Sequence, residues 1–124
     1  MIKNNKKSFN ELTASEWASL SKSVWNDVSS PRKKYHLEHG ATFSQAMAER
    51  VITIFTKKGD WVLDPFLGTG TTLVAANKLH RNGVGFEIYP KFVETAKDAV
   101  DQHTLTNKQK IQKVISDDCR NLLN

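Results

Sequence analysis

A chain of 124 residues can bury roughly two-thirds of its unfolded surface, enough for one hydrophobic core but not for a second domain beside it. One cysteine, Cys119, excludes an internal disulfide, and the polar N-terminus offers no apolar stretch long enough for a signal peptide or membrane span, so a cytoplasmic protein without membrane contact is expected. A net charge of +5 and a pI near 9.4 favour a polyanionic partner: Lys3, Lys6 and Lys7 read first as solvated surface, and Arg32-Lys33-Lys34 as a candidate phosphate contact.

Residues 1 to 8 read as a flexible basic arm on a single domain spanning residues 1–124. Thr13 or Ser15 can begin a helix carrying Trp17, Leu20 and Val24 at spacings near three and four. Trp17 and Trp25 read as core rather than as base-stacking platforms. Pro31 and the basic run form a loop. His36 and His39 are three apart, but no Cys, His or carboxylate set nearby completes a metal site, so none is expected. Ser44 can cap a helix from Gln45 to Thr56 with Met47, Val51, Ile54 and Phe55 on one side, after which Lys58-Gly59-Asp60 turns the chain toward a strand.

That strand leads into the most informative run, Val62-Leu63-Asp64-Pro65-Phe66-Leu67-Gly68-Thr69-Gly70-Thr71-Thr72. Val62 and Leu63 suit a parallel strand buried on both faces, and Pro65 cannot donate to a ladder, which leaves the Asp64 carboxylate at the strand's carboxyl end. Gly68 and Gly70 permit positive φ and close approach of a ligand, while Thr71 and Thr72 can satisfy the first amides of a helix from Leu73 to Leu79. Three cofactor classes use such a turn. A phosphate-binding loop needs lysine where Thr71 stands, and a dinucleotide fingerprint needs a third glycine where Leu73 stands. The ammonium of S-adenosyl-L-methionine would be attracted to an acid placed as Asp64 is, and this reading comes first.

Downstream, Asn82-Gly83 reads as a turn and Val84-Gly85-Phe86-Glu87 as a second strand ending in a carboxylate. An acid one βαβ unit after a glycine turn accepts from ribose hydroxyls, and Ile88 and Tyr89 can pack on an adenine face. Pro90 starts a helix with Phe92, Val93, Ala96 and Val100 along one face, and Val114 to Ser116 forms a third strand. Cys119, without a histidine partner, reads as a small buried apolar residue.

Asp64 to Thr72, with Ala75-Ala76 and Arg81-Asn82-Gly83-Val84-Gly85-Phe86-Glu87, resembles the cofactor half of the DNA amino-methyltransferases, which methylate cytosine N4 or adenine N6. Glu11 to Trp25 resembles the segment before the family's His-x-Ala-x-Phe-Pro motif, here His39-Gly40-Ala41-Thr42-Phe43-Ser44 with serine in place of proline. The resemblance implies an α/β fold, a partial Rossmann-like three-layer αβα sandwich with a mainly parallel sheet ordered third, second, first strand and an open edge. It places the methionine end of S-adenosylmethionine against Ala41, Phe43 and Asp64, with Pro65, Phe66, Gly68, Gly70 and Thr71 around it. Glu87 would take the ribose and Ile88 the adenine face. Asp118 would accept from the adenine amino group, with Cys119 adjacent.

The family's catalytic Ser/Asp-Pro-Pro-Tyr/Phe motif has no counterpart, since Pro31, Pro65 and Pro90 each stand alone. No catalytic residue is therefore assigned. The resemblance implies the cofactor-binding portion of a DNA methyltransferase, with the Trp17 to Trp25 segment inclining toward cytosine N4. Double-stranded DNA and a second polypeptide carrying the Pro-Pro loop are the expected partners. A non-catalytic remnant, or a cofactor-binding assembly subunit, is the alternative.

Overall fold

The computed structural model describes residues 8–28, 42–104 and 110–124. Within them the chain forms helix α1 (Ala14–Leu20), helix α2 (Gln45–Phe55), strand β1 (Trp61–Asp64), helix α3 (Thr71–Lys78), strand β2 (Asn82–Glu87), helix α4 (Pro90–Thr104), strand β3 (Gln112–Ser116) and a 3-10 turn at Cys119–Asn121. Both strand pairs are parallel and the sheet order is β1-β2-β3, with Leu63 beside Val84 and Val84 beside Lys113. The α/β class and the strand order agree with the sequence reading, and β1 is an edge strand among the described residues.

Alternation along each strand puts Val62, Gly83, Gly85 and Val114 on one face of the sheet. Val62 packs there with Ala48 and Ile52 of α2 and with Ala75 and Ala76 of α3. Val114 packs with Leu67, with Leu73 of α3 and with Ala96 and Val100 of α4. The three helices therefore form one layer on one face. The other face carries Trp61, Leu63, Val84, Phe86 and Ile115, of which Phe86 is buried and Trp61 and Leu63 are exposed. Leu63, expected to be buried, is 52% exposed and Trp61 54% exposed, both on the edge strand β1, whereas Phe86 lies on the central strand.

Packing also relocates a turn. Asn82-Gly83 begins β2 rather than turning, because a Cβ on Gly83 would lie 2.4 Å from Leu73 Cδ2; the glycine admits α3 to the sheet. The chain turns instead at His80, whose φ is +62° and whose carbonyl accepts from the Gly59 amide at 2.9 Å. Arg81 follows, only 4% exposed, donating from Nε to Thr56 Oγ1 (3.0 Å), from Nη1 to the Leu79 carbonyl (2.7 Å) and from Nη2 to the Thr56 carbonyl (2.7 Å). It joins the carboxyl ends of α2 and α3.

Local capping explains the helix boundaries. Thr13 and Glu16 form a reciprocal capping box at α1, which stops at Leu20 and leaves Val24 exposed outside it. Trp17 is 37% exposed against the edge of Phe9, which corrects the expectation that it is core, while Trp25 is half-buried beneath the Arg50 guanidinium at 5.5 Å. Ser44 caps α2, accepting from the Met47 amide at 3.1 Å as expected. The buried positions of α2 are Ala48, Ile52 and Ile54, whereas Val51 and Phe55 are exposed, because the small Ala48 is what lets α2 approach the alanines of α3. Helix α4 starts at Pro90 and buries Val93, Ala96 and Val100 as read.

Candidate cofactor site

Strand β1 ends at Asp64 and the chain crosses the top of the sheet. The Leu67 amide donates to the Phe86 carbonyl at 2.8 Å, which holds the loop over β2. Gly68 and Gly70 have φ of +59° and +95°, and a Cβ on Gly70 would lie 3.1 Å from the Ala96 Cα, so backbone conformation and close approach both require glycine there. Gly70 is the N-cap of α3 and no side chain caps it. Thr71 and Thr72 are the first two helical residues, two positions earlier than expected, rather than caps before the helix. The Thr72 hydroxyl donates instead to Asp64 Oδ2 at 2.5 Å.

Two carboxylates flank this loop. Asp64 accepts from the Phe66 amide at Oδ1 (3.0 Å) and from Thr72 at Oδ2. Glu87, only 8% exposed, accepts from the Gly68 amide at Oε2 (2.8 Å) and from the Tyr89 amide at Oε1 (2.9 Å). Asp64 pairs in register with Gly85, so the two acids stand at the carboxyl ends of neighbouring parallel strands, where open α/β sheets hold ligands. Each carboxylate oxygen has a second acceptor direction for an external donor. Between the two glycines, the Thr69 hydroxyl is buried without a hydrogen-bond partner, a group that a ligand or water would satisfy.

A third acid follows β3. Asp118 caps the 3-10 turn by accepting from the Arg120 amide at 2.9 Å, and the Arg120 guanidinium binds both its oxygens from Nε at 3.0 Å and Oδ2 from Nη2 at 2.5 Å. The guanidinium holds the Asp118 carboxyl down at about 2, and the carboxylate in turn raises the Arg120 pKa. Cys119 is half-buried rather than part of the core, because it sits in that surface turn.

The remaining expected residues distribute around these acids. Pro65 and Phe66 follow Asp64, with Phe66 79% exposed, and Ile88 and Tyr89 are exposed after Glu87. Phe43 lines a groove of about 250 Å³ with Met47, Val51, Leu63, Asp64 and Thr72, so the structure brings Phe43 and Asp64 together. Ala41, His36, His39 and the basic runs Lys3–Lys7 and Arg32–Lys34 lie outside the described residues. Sequence reasoning missed the Thr72 contact to Asp64 and the Arg120 hold on Asp118. The first pair is eight residues apart and meets only when the loop closes, while the second follows from the short Asp-Cys-Arg spacing.

A family model described as DNA methylase, covering N6 and N4 methyltransferases, matches residues 2–98. The chain is similar to the Type II methyltransferase M.BglI of Bacillus subtilis, at 37% identity over 85% of this chain and 30% of that one. It is also similar to M.MthZI of Methanothermobacter thermautotrophicus, at 31% identity over 76% and 28% of the two chains. A protein of Thermus thermophilus, described as a DNA modification methylase and solved in complex with S-adenosyl-L-methionine, superposes with a TM-score of 0.62 and 27% identity over 90% of this chain and 41% of its own. The chain spans about three-tenths of the length of these curated relatives.

Proposed function

The chain belongs to the N6/N4 DNA methylase family, and we propose on that premise that it is the S-adenosylmethionine-binding part of a DNA methyltransferase acting on an exocyclic amine. The observation that carries this reading is the pair of carboxylates, Asp64 and Glu87, standing on either side of the Gly68–Gly70 loop at the ends of adjacent parallel strands. The donor set fits the cofactor. It offers an acid for a cationic amino-acid end, an acid fixed by two amides for a ribose diol, and a loop with no side chain at the closest points of approach.

In this reading Asp64 holds the amino-acid end beside Phe43 and Ala41, and Pro65, Phe66 and Thr71 border it. Gly68 and Gly70 let the ligand reach the backbone, and Glu87 orients the ribose. Ile88 covers the adenine, and Asp118, next to Cys119, accepts from the adenine amino group. When bound, S-adenosylmethionine supplies a methyl group made electrophilic by its sulfonium. The chain's residues contribute alignment and exclusion of water rather than proton transfer.

Double-stranded DNA is the proposed substrate, with cytosine N4 favoured over adenine N6 by the character of the Trp17 to Trp25 segment. No Pro-Pro pair occurs in these 124 residues, and methyl transfer is proposed to use such a loop from further polypeptide, either continuous with this sequence or carried on a second chain. Among the described residues β1 is an edge strand with Trp61 and Leu63 exposed on it, which supports a docking role there, since such an edge accepts another strand.

Calorimetric titration of the purified chain with S-adenosylmethionine tests the reading, beside Asp64→Ala and Glu87→Ala proteins checked for folding by circular dichroism. Binding by the parent and its loss in both variants is expected; a folded parent that does not bind overturns the assignment.

A further inference from the structure

Thr72 is the second residue of α3, and its side chain could have capped the helix or faced solvent. Its hydroxyl is instead committed to Asp64 Oδ2 at 2.5 Å, while the Phe66 amide takes Oδ1 at 3.0 Å. An aspartate at a strand end ordinarily rotates about both its side-chain torsions. One donor on each oxygen, from opposite ends of the loop, fixes the carboxylate plane. Asp64 and Thr72 are the polar residues of a groove whose other walls include Phe43, Met47, Val51 and Leu63. In such apolar surroundings a misdirected carboxylate would be desolvated without compensation, so its orientation decides whether it attracts a cation.

We propose that Thr72 is a positioning residue, whose Oγ1 aims the Asp64 carboxylate into the groove to meet the charged amino-acid end of the cofactor. This rests on the reading of Asp64 given above. Thr72 itself need not touch the ligand. The backbone amide of Phe66 remains in every variant, so the hydroxyl is the one removable half of the clamp.

Thr72→Val preserves the shape and deletes the donor, and Thr72→Ser restores the donor on a smaller side chain. Each protein is titrated with S-adenosylmethionine and with 5′-methylthioadenosine, which keeps the nucleoside and sulfur but lacks the charged amino-acid end, and its thermal unfolding is recorded. The valine variant is expected to weaken S-adenosylmethionine about tenfold, as for loss of a hydrogen bond to a charged group, and to leave methylthioadenosine within about twofold. The serine variant is expected to recover the parent's affinity. Unchanged S-adenosylmethionine affinity in Thr72→Val, with binding still lost in Asp64→Ala, overturns the inference alone. Equal weakening of both ligands also overturns it, since it marks Thr72 as a support of the helix start. A folded parent that binds neither ligand overturns the cofactor reading itself.

Discussion

The Gly68 amide donates to Oε2 of Glu87 at 2.8 Å, closing a contact across 19 residues of sequence. The Tyr89 amide takes the other oxygen, so the acid read from sequence as a ligand for ribose also builds the loop that would receive it. Glu87→Ala leaves both amides short of their acceptor in a buried place and is expected to cost about 1–3 kcal/mol in urea unfolding. Glu87→Gln keeps one acceptor oxygen and is expected to fall between that variant and the parent. A Glu87→Ala protein as stable as the parent would show that water replaces the carboxylate and that the loop does not depend on it.

Gly59 and Gly70 share a left-handed backbone but not a packing environment. A Cβ on Gly59 meets nothing within 4 Å, whereas on Gly70 it would lie 3.1 Å from the Ala96 Cα and 3.3 Å from the Ala96 carbonyl oxygen. Gly59→Ala is expected to cost about 1–2 kcal/mol from backbone strain alone. Gly70→Ala adds overpacking against main-chain atoms, for a total of roughly 2–5 kcal/mol. Equal denaturation midpoints for the two variants would mean that α4 shifts away from the loop without cost.

These two glycines show what could be read from the sequence and what could not. The run from Val62 to Gly70 announces its geometry because turn chemistry is local: proline ends a ladder, glycine admits positive φ, and an acid between them must sit at the strand end. The Ser44 cap is legible for the same kind of reason, whereas the strand order comes only from the resemblance to the amino-methyltransferases and has no local signature. Gly83 misled because its glycine is selected by the approach of Leu73 from another element, a requirement with no local signature. The face of α2 was misread because Ala48, small enough to admit α3, carries less hydrophobic signal than Val51 or Phe55. Leu63 reads as buried because its residue type suits a sheet covered on both faces, whereas on the edge strand it is exposed.

Arg81 offers a stability test away from the cofactor loop. Burial pushes its guanidinium below the usual arginine range, with the charges of Glu11 and Asp60 opposing that shift, and its three hydrogen bonds go to Thr56 and Leu79. A lysine at this position reaches as a point charge and cannot serve the two carbonyls and the hydroxyl together. Arg81→Lys is therefore expected to lose about 1–3 kcal/mol, read as a lower urea midpoint at unchanged slope. A shift within experimental error would show that one carbonyl contact carries the whole effect.

The Asp118 and Arg120 pair is exposed, so its signature lies in titration rather than in melting temperature. Hydrogen bonds from the guanidinium and the Arg120 amide lower the Asp118 carboxyl from 3.8 to about 2. Because the folded value is depressed, the pair's contribution is complete above about pH 3.8 and disappears as the pH falls through about 2. Carboxyl carbon NMR on the folded chain is expected to give an Asp118 midpoint near 2, moving up toward 3.8 in Arg120→Ala. The same variant frees Oδ2 and leaves Oδ1 with the backbone amide of residue 120, so an amino group of bound adenine would no longer compete with a bidentate guanidinium. A midpoint that stays near 2 without the Arg120 side chain would assign the depression to the amide of the 3-10 turn, and Asp118 would then be held for the turn rather than shared between Arg120 and a ligand.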